Sequence, residues 1–231
     1  MISDETEEGG RVVLVPTPIG NLGDITLRAL ELLRAADRIA CEDTRRSGIL
    51  LSHHGITGKS LVALHDHNEA RRAPELVAAA KAGELIAFIS DAGMPGVSDP
   101  GYRLVQACLE AEVRIEVLPG PSAVLTALIG SGLPCHAFRF GGFLSVKSGK
   151  RKSAMSAVLE SGETGIFFES PHRILSTLEI LVEIAPKAKV CVARELTKKF
   201  ETYHRGTAGE ILEWFKANGA KGEMVILMNG V

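Results

Sequence analysis

The chain is poor in cysteine and poorer in polar aromatics, with four Cys, one Trp and two Tyr among 231 residues. Cys41, Cys108, Cys135 and Cys191 are scattered without a Cys-x-x-Cys pair, which excludes a disulfide-stapled scaffold and the usual zinc spacing. Three of them fall in apolar strand-like or helix-like stretches, where a reduced, buried thiol is expected. No apolar run approaches the roughly 18 residues that span a bilayer. The richest, 123–133, is broken by Gly130, Ser131 and Gly132. The opening MISDETEEGG has neither the basic start nor the apolar centre of a signal peptide. A reduced, soluble, cytoplasmic protein with no membrane partner is the expectation.

Phosphate and nucleophile signatures are missing too. No Gly-x-Gly-x-x-Gly opens the first helix, and no Gly-x-Ser-x-Gly elbow occurs. Ser148-Gly149-Lys150-Arg151 holds the Gly-Lys pair of a phosphate loop. Leu144 stands where that loop needs its first glycine, however, and Arg151 where it needs a hydroxyl. Dinucleotide, nucleotide-triphosphate, hydrolase and zinc chemistry all recede, and no metal site is expected.

Charge is nearly balanced, 26 Lys+Arg against 28 Asp+Glu, which by itself announces no nucleic acid. The balance hides an acidic tail over 1–10, expected to be disordered, that carries Asp4, Glu5, Glu7 and Glu8 without a base. Beyond it, strand-like and helix-like periodicities alternate. RVVLVP, RIACE, LVALHDH, ELIAFIS and RIEVLP read as strands separated by helical segments, with no hairpin signal. A mostly parallel sheet covered on both faces follows. After 119–134 the texture changes to a second α/β set. The expected organisation is α/β with two domains: 11–122, mostly parallel, and 123–231, with a mixed sheet. Local signals include Asp24 as the cap of the first helix and Ser170-Pro171 as a helix entry. Thr207 and Glu210 have capping-box spacing. Asp99 reads as a helix cap, Trp214 as core, and 146–152 as a flexible basic loop.

Three loops beyond strand ends are dense in Gly and Pro: 16–24, 90–101 and 119–123. Glycine allows close backbone approach and proline stiffens it, so three on one sheet edge point to a ligand cleft. Seven motifs then occur in order: VPTPIGNLGDIT, CEDTRRS, LHDHNE, SDAGMPGVSDPG, LPGPSA, FFESPHR and ARELTKKFE. Together, over about 11–231, they closely resemble the tetrapyrrole methylase (class III methyltransferase) superfamily, in its branch that acts on small-subunit ribosomal RNA.

That resemblance implies two α/β domains holding S-adenosylmethionine between them, usually in a homodimer. It implies 2′-O-methylation of a decoding-centre cytidine of 16S ribosomal RNA in the small subunit. Cofactor contacts are implied at Thr17, Pro18, Asp91, Ala92, Gly93, Val97, Ser122 and Ala123. In the second domain they fall on Phe168, Ala193, Arg194 and Glu195. A base for the ribose hydroxyl is sought among Asp43, His65, Asp66, His67, Glu169 and His172, with LHDHNE and CEDTR as the substrate-facing set. Asp43 and Glu169 have a plainer reading as caps or as partners of Arg45 and Arg173. Phosphate contacts are sought at Arg45, Arg46, Lys147, Lys150, Arg151, Lys152 and Lys198. Members of the branch commonly continue into a small basic extension beyond the last strand, so a chain ending at EMVILMNGV is expected to bind RNA more weakly. Two other readings stay open: a methyltransferase acting on a tetrapyrrole, and a non-catalytic RNA-binding assembly factor.

Overall fold

The computed structural model describes residues 9–230; most of the acidic tail lies outside them. The chain divides into two compact units, Met1–Pro121 and Ser122–Val231. In the first, strands β1 (Arg11–Leu14), β2 (Arg38–Cys41), β3 (Ser60–Ala63), β4 (Leu85–Ile89) and β5 (Arg114–Val117) alternate with helices. The helices are α1 (Leu27–Ala35), α2 (Thr44–His53), α3 (Glu69–Lys81) and α4 (Tyr102–Glu110). The strands form one sheet in the order β3-β2-β4-β1-β5, with every pair parallel. Parallel neighbours need crossovers, and here each crossover is a helix.

The central strands are apolar on both faces because both are covered. Val13, Ile39, Ala87 and Ile89 pack with Ala29, Leu33, Leu50 and Leu51 of α1 and α2. Val12, Ala40, Ile86 and Phe88 pack with residues of α3 and α4 on the other face. Helices leaving β1 and β2 therefore cover one face, and those leaving β3 and β4 the other. The adjacent strands β4 and β1 send their connections to opposite faces, which opens a crevice beyond their carboxyl ends.

The second unit holds α5 (Ala123–Ser131), β6 (Phe138–Phe143), α6 (Ser148–Ser161), β7 (Thr164–Glu169) and α7 (Ile174–Ile184). It continues with β8 (Lys189–Arg194), β9 (Thr202–Thr207), α8 (Ala208–Asn218) and β10 (Met224–Asn229). Its sheet runs β6-β7-β10-β8-β9, with β6 parallel to β7 and the other pairs antiparallel. The α/β class and the parallel and mixed sheets are those expected. The Thr207–Glu210 capping box opens α8.

Several local expectations need correction. Thr26, not Asp24, caps α1, because Asp24 closes a short 3-10 turn just before it. Strand β3 ends at Ala63, so His65 and His67 stand in the turn after it, held by Asn68. After Ser170 a full turn intervenes before α7 starts at Ile174. The basic run 147–152 is not a loop: Lys147 is the N-cap of α6 and the rest lies in its first turns. Trp214 is not core. It lies partly exposed over the His204 ring, with centroids 3.8 Å apart. No helix among the described residues is long and apolar enough to cross a membrane.

Candidate active site at the carboxyl edge of the parallel sheet

The three Gly/Pro loops meet beyond β1, β4 and β5. Thr17 and Gly93 form an isolated antiparallel bridge, N to O 3.0 and 2.9 Å. The Thr17 hydroxyl donates to the Ser90 carbonyl at 3.1 Å. Gly93 has φ +82°, and a Cβ there would meet Ile19 at 3.3 Å. A Cβ on Gly120 would lie 2.6 Å from that of Pro16. Glycine is thus required where two loops touch. The clip sets Asp91 beside a cavity of about 190 Å³ lined by Thr17, Pro18, Leu22, Arg46, Ile49, Leu50 and Asp91.

Asp91 links two strand ends. Its Oδ1 accepts the Asp43 N–H at 3.1 Å, and Oδ2 lies 3.2 Å from Arg46 Nη1. Ala92 and Val97 are exposed on the same loop, while its Gly93 and the neighbouring loop's Thr17 and Pro18 are buried. The edge is acidic. Glu42, half-buried at the end of β2, has its pKa raised by burial and then by Asp91. Asp99 is pushed up to about 6 by burial first, then by Glu42 and Asp91, against a lowering hydrogen bond from Ser90. Asp66 adds a further repulsive contribution to both.

Asp99 is not the helix cap its sequence context suggested. Buried Glu69 takes that work, its Oε1 accepting the N–H groups of Gly101 (2.9 Å) and Leu104 (3.1 Å) at the start of α4. Glu69 lies 32 residues upstream of Gly101, so no local pattern announces it. Asp99, hydrogen-bonded to Ser90, instead faces the acidic edge, and the preceding Ser98 sits at φ +62°. Glu42 is the residue that motif reading passed over, and Asp99 the one it assigned to a cap. Their signal is only that both follow the carboxyl end of a strand.

The remaining candidates separate. Asp43 caps α2 through the Arg45 N–H (2.8 Å) and pairs with the Arg45 guanidinium, also at 2.8 Å, so its carboxyl lies well below the usual range. It is a poor proton acceptor, and Arg45 is correspondingly engaged. Asp66 and His67 are exposed in the turn after β3.

In the second unit Glu169 is 3% exposed and serves structure. It binds Arg173 at 2.6 Å, accepts the Thr177 hydroxyl at 2.7 Å, and lies 3.9 Å from Arg151. Arg151, 6% exposed and bonded to Ser176 and Thr177, is no phosphate contact: its position on α6 turns it into the core. Lys152 pairs with Glu183 at 2.6 Å, and Lys198 with Glu195 and Glu223 at 3.0 and 2.8 Å. Ion pairing of Lys147 and Lys150 does not occur among the described residues, and both are exposed.

Ser122 accepts the Leu125 N–H and caps α5, where Ala123 is the first residue. Ala193 is wholly buried in the sheet. Arg194 holds the carbonyls of Lys221 (2.5 Å) and Phe200 (3.3 Å), and Glu195, at φ +51°, accepts the Glu223 N–H. Arg194 and Glu195 therefore tie two loops of the second unit together. Phe168 stands half-exposed between Phe140 and Phe143, at centroid distances of 5.0 and 5.3 Å. Among the described residues no three His, Cys, Asp or Glu side chains are placed to hold a metal ion.

Comparison with known proteins adds to this geometry. The model of the family described as Tetrapyrrole (Corrin/Porphyrin) Methylases matches residues 11–212. A relative from Escherichia coli O157:H7, named Ribosomal RNA small subunit methyltransferase I, is 50% identical over 96% of this chain and 78% of its own length. One of the same name from Hydrogenobaculum sp. is 46% identical over 95% of each. Among solved structures, a diphthine synthase superposes with a TM-score of 0.73 at 17% identity, covering 94% of this chain and 89% of that one. The uroporphyrin-III-C-methyltransferase of Thermus thermophilus gives 0.67 at 21% identity, covering 96% and 94%. At such identities these two structures speak for the fold alone.

Proposed function

Because the chain belongs to the tetrapyrrole methylase family, and within it to the ribosomal RNA small subunit methyltransferase I group, we propose that it transfers a methyl group from S-adenosylmethionine to the ribose 2′-hydroxyl of a decoding-centre cytidine in 16S ribosomal RNA. The observation that carries this reading is the acidic carboxyl edge of the parallel sheet, where the Thr17–Gly93 clip holds Asp91 beside an open cavity.

The donor set fits the cofactor. Asp91, Glu42 and Asp99 create a negative edge, which favours a sulfonium and an ammonium and opposes a polyphosphate. Gly93 and Gly120 let the loops that frame the cavity pack directly against one another. Thr17, Pro18, Asp91, Ala92, Gly93 and Val97 are the residues proposed to hold the cofactor. When bound, it supplies a methyl group on a positively charged sulfur. The chain's own work is then alignment of the hydroxyl oxygen and removal of its proton.

For that proton Asp99 is the best-placed acceptor. It is half-buried on the acidic edge, and unlike Asp43 it is not neutralised by an arginine at hydrogen-bond distance. Arg46 and the exposed Lys147 and Lys150 are the proposed phosphate contacts. We further propose that the protein works as a homodimer in the cytoplasm. Light scattering in solution at twice the chain mass would support the dimer, and a monomer would exclude it.

Radiolabelled methyl donor incubated with undermethylated small subunits, naked 16S RNA and a precorrin tests the reaction. Label on the small subunit, released by nuclease as a 2′-O-methylcytidine, is expected. Label in the precorrin alone would move the protein to tetrapyrrole chemistry, and label nowhere would make it an assembly factor.

Asp91 has its own test. Asp91→Ala and Asp91→Asn are both expected to lower cofactor affinity about 10- to 100-fold, the range for losing a hydrogen bond to a charged group. Asparagine can still accept the Asp43 N–H, so its loss isolates the charge from any loosening of the loop. Calorimetry reads both variants, and unchanged affinities would remove Asp91 from the site.

A further inference from the structure

On β6 the sequence FRFGGF places Phe138 and Phe140 two residues apart, on one face of the strand. Phe143 lies three positions beyond Phe140, which in a regular strand would put them on opposite faces. A register shift between them, with Gly142 at φ +65°, adds the residue that restores the face. Gly141 points the other way, where a Cβ would lie 2.3 Å from Phe167 in the core. Phe167 packs with α6, α7 and α8, so Phe168, its neighbour on β7, emerges on the opposite face. Its ring contacts with Phe140 and Phe143 confirm the assignment.

The result is an aromatic face that water reaches. Phe143 is 63% and Phe138 41% exposed, with Phe140 and Phe168 half-buried between and beneath them. Exposing a phenylalanine forfeits about 1.5–3 kcal/mol of burial, so a cluster on an edge strand calls for an occupant. The local charge says which kind. From Phe138 to Leu159 the sequence carries no acid. Lys147 and Lys150 stand exposed a few residues beyond Phe143, at the start of α6. A partner peptide would meet uncompensated positive charge there, whereas a nucleic-acid strand brings phosphates to the lysines and flat rings to the phenylalanines.

We infer that this face is a stacking platform for an unpaired nucleotide of the RNA substrate, with Phe143 as its exposed ring and Lys147 and Lys150 on the adjoining phosphates. The inference rests on the RNA-methylating function proposed above and adds where the strand lies on the second unit. Every base has a π-face, so such a platform binds unpaired RNA with little sequence preference.

The test uses the full chain and a single-stranded RNA of about 12 nucleotides carrying 2-aminopurine at its centre. Wild-type protein is expected to quench the fluorophore as it stacks. Phe143→Ala should weaken binding about 5- to 100-fold and remove the quench, while Phe143→Tyr retains both. Lys147→Ala with Lys150→Ala should keep the quench at saturation and lower the salt slope by about 1.4, the value for two single-strand phosphates.

Unchanged affinity and quench in Phe143→Ala, with the thermal midpoint of wild type, would overturn the platform. Loss of cofactor affinity in that variant with RNA binding intact would also overturn it and assign the face to an adenine instead. The two failures are separable. If wild type methylates small subunits but Phe143→Ala behaves as wild type towards RNA, only the platform falls. If wild type methylates no RNA, the underlying function falls.

Discussion

Glu169→Ala is expected to destabilise the second unit by about 3–5 kcal/mol, the usual result of removing one partner of a buried ion pair. Glu169 is almost inaccessible and joins three elements by its two oxygens. One oxygen takes Arg173 and the Ser170 N–H (2.7 Å), and the other takes the Thr177 hydroxyl and lies near Arg151. With the carboxylate gone, the Arg151 guanidinium stays buried on hydroxyls alone, its Nε already without a hydrogen-bond partner. Arg173 would still hold the Leu144 carbonyl at 3.0 Å but lose its anion. Urea denaturation should show the loss as a lower midpoint with little change of slope.

The companion variant Arg151→Met in the Glu169→Ala background should recover part of the stability, because it removes the stranded charge and fills the space with an apolar chain. If Glu169→Ala costs less than about 1 kcal/mol, as an exposed pair would, the buried network is not what holds α6 and α7 to the strand. Methyl transfer by folded protein should survive both changes, which separates this structural glutamate from a base.

Asp99→Asn is expected to do the opposite: kcat falls about 10²- to 10⁴-fold, the range for losing a general base, and stability rises. The acid limb of the pH profile argues the first part. Because burial and the neighbouring carboxylates push Asp99 up to about 6, wild-type kcat/KM should fall below that pH, about tenfold per unit, and level off above it. The limb should be absent from the residual activity of Asp99→Asn.

The second part follows from linkage. The folded-state pKa is raised from 3.8, so between roughly pH 4 and 6 the native state holds the proton more tightly than the unfolded chain. Asp99 therefore costs stability increasingly as pH rises through that window, and the cost remains in full above it. An asparagine, which never ionises, should raise the melting temperature at pH 7.5 and leave it almost unchanged near pH 4. A variant that retains wild-type kcat and its acid limb would exclude Asp99 as the proton acceptor. Glu42→Gln should shift the limb to lower pH, since it removes a repelling charge.

Much of the architecture is local information and was legible in the sequence. Strands apolar throughout, such as LIAFI, mark a sheet covered on both sides, and segments without hairpin signals mark parallel pairing. The three Gly/Pro loops pointed to one edge because a parallel sheet puts every β-to-α connection at the same end. The Thr207–Glu210 box was readable because both halves lie within one helical turn.

Where sequence reading failed, the deciding partner lay far along the chain. Asp99 read as a cap until Glu69, from another helix, took the same N–H groups. Arg151 read as one of four cations in a basic run, and only the helical register of α6 turns it inward to Glu169 while Lys147 and Lys150 stay out. Phe143 gave no sign of sharing a face with Phe140, since that depends on a bulge. Side-chain type and spacing set which elements form and where each must be apolar, because these are governed by periods of two and 3.6 residues. Which carboxylate is spent on a cap, which cation is buried and which ring is left to solvent were decided only by tertiary structure. Each of those outcomes is a competition between groups brought together from distant parts of the chain.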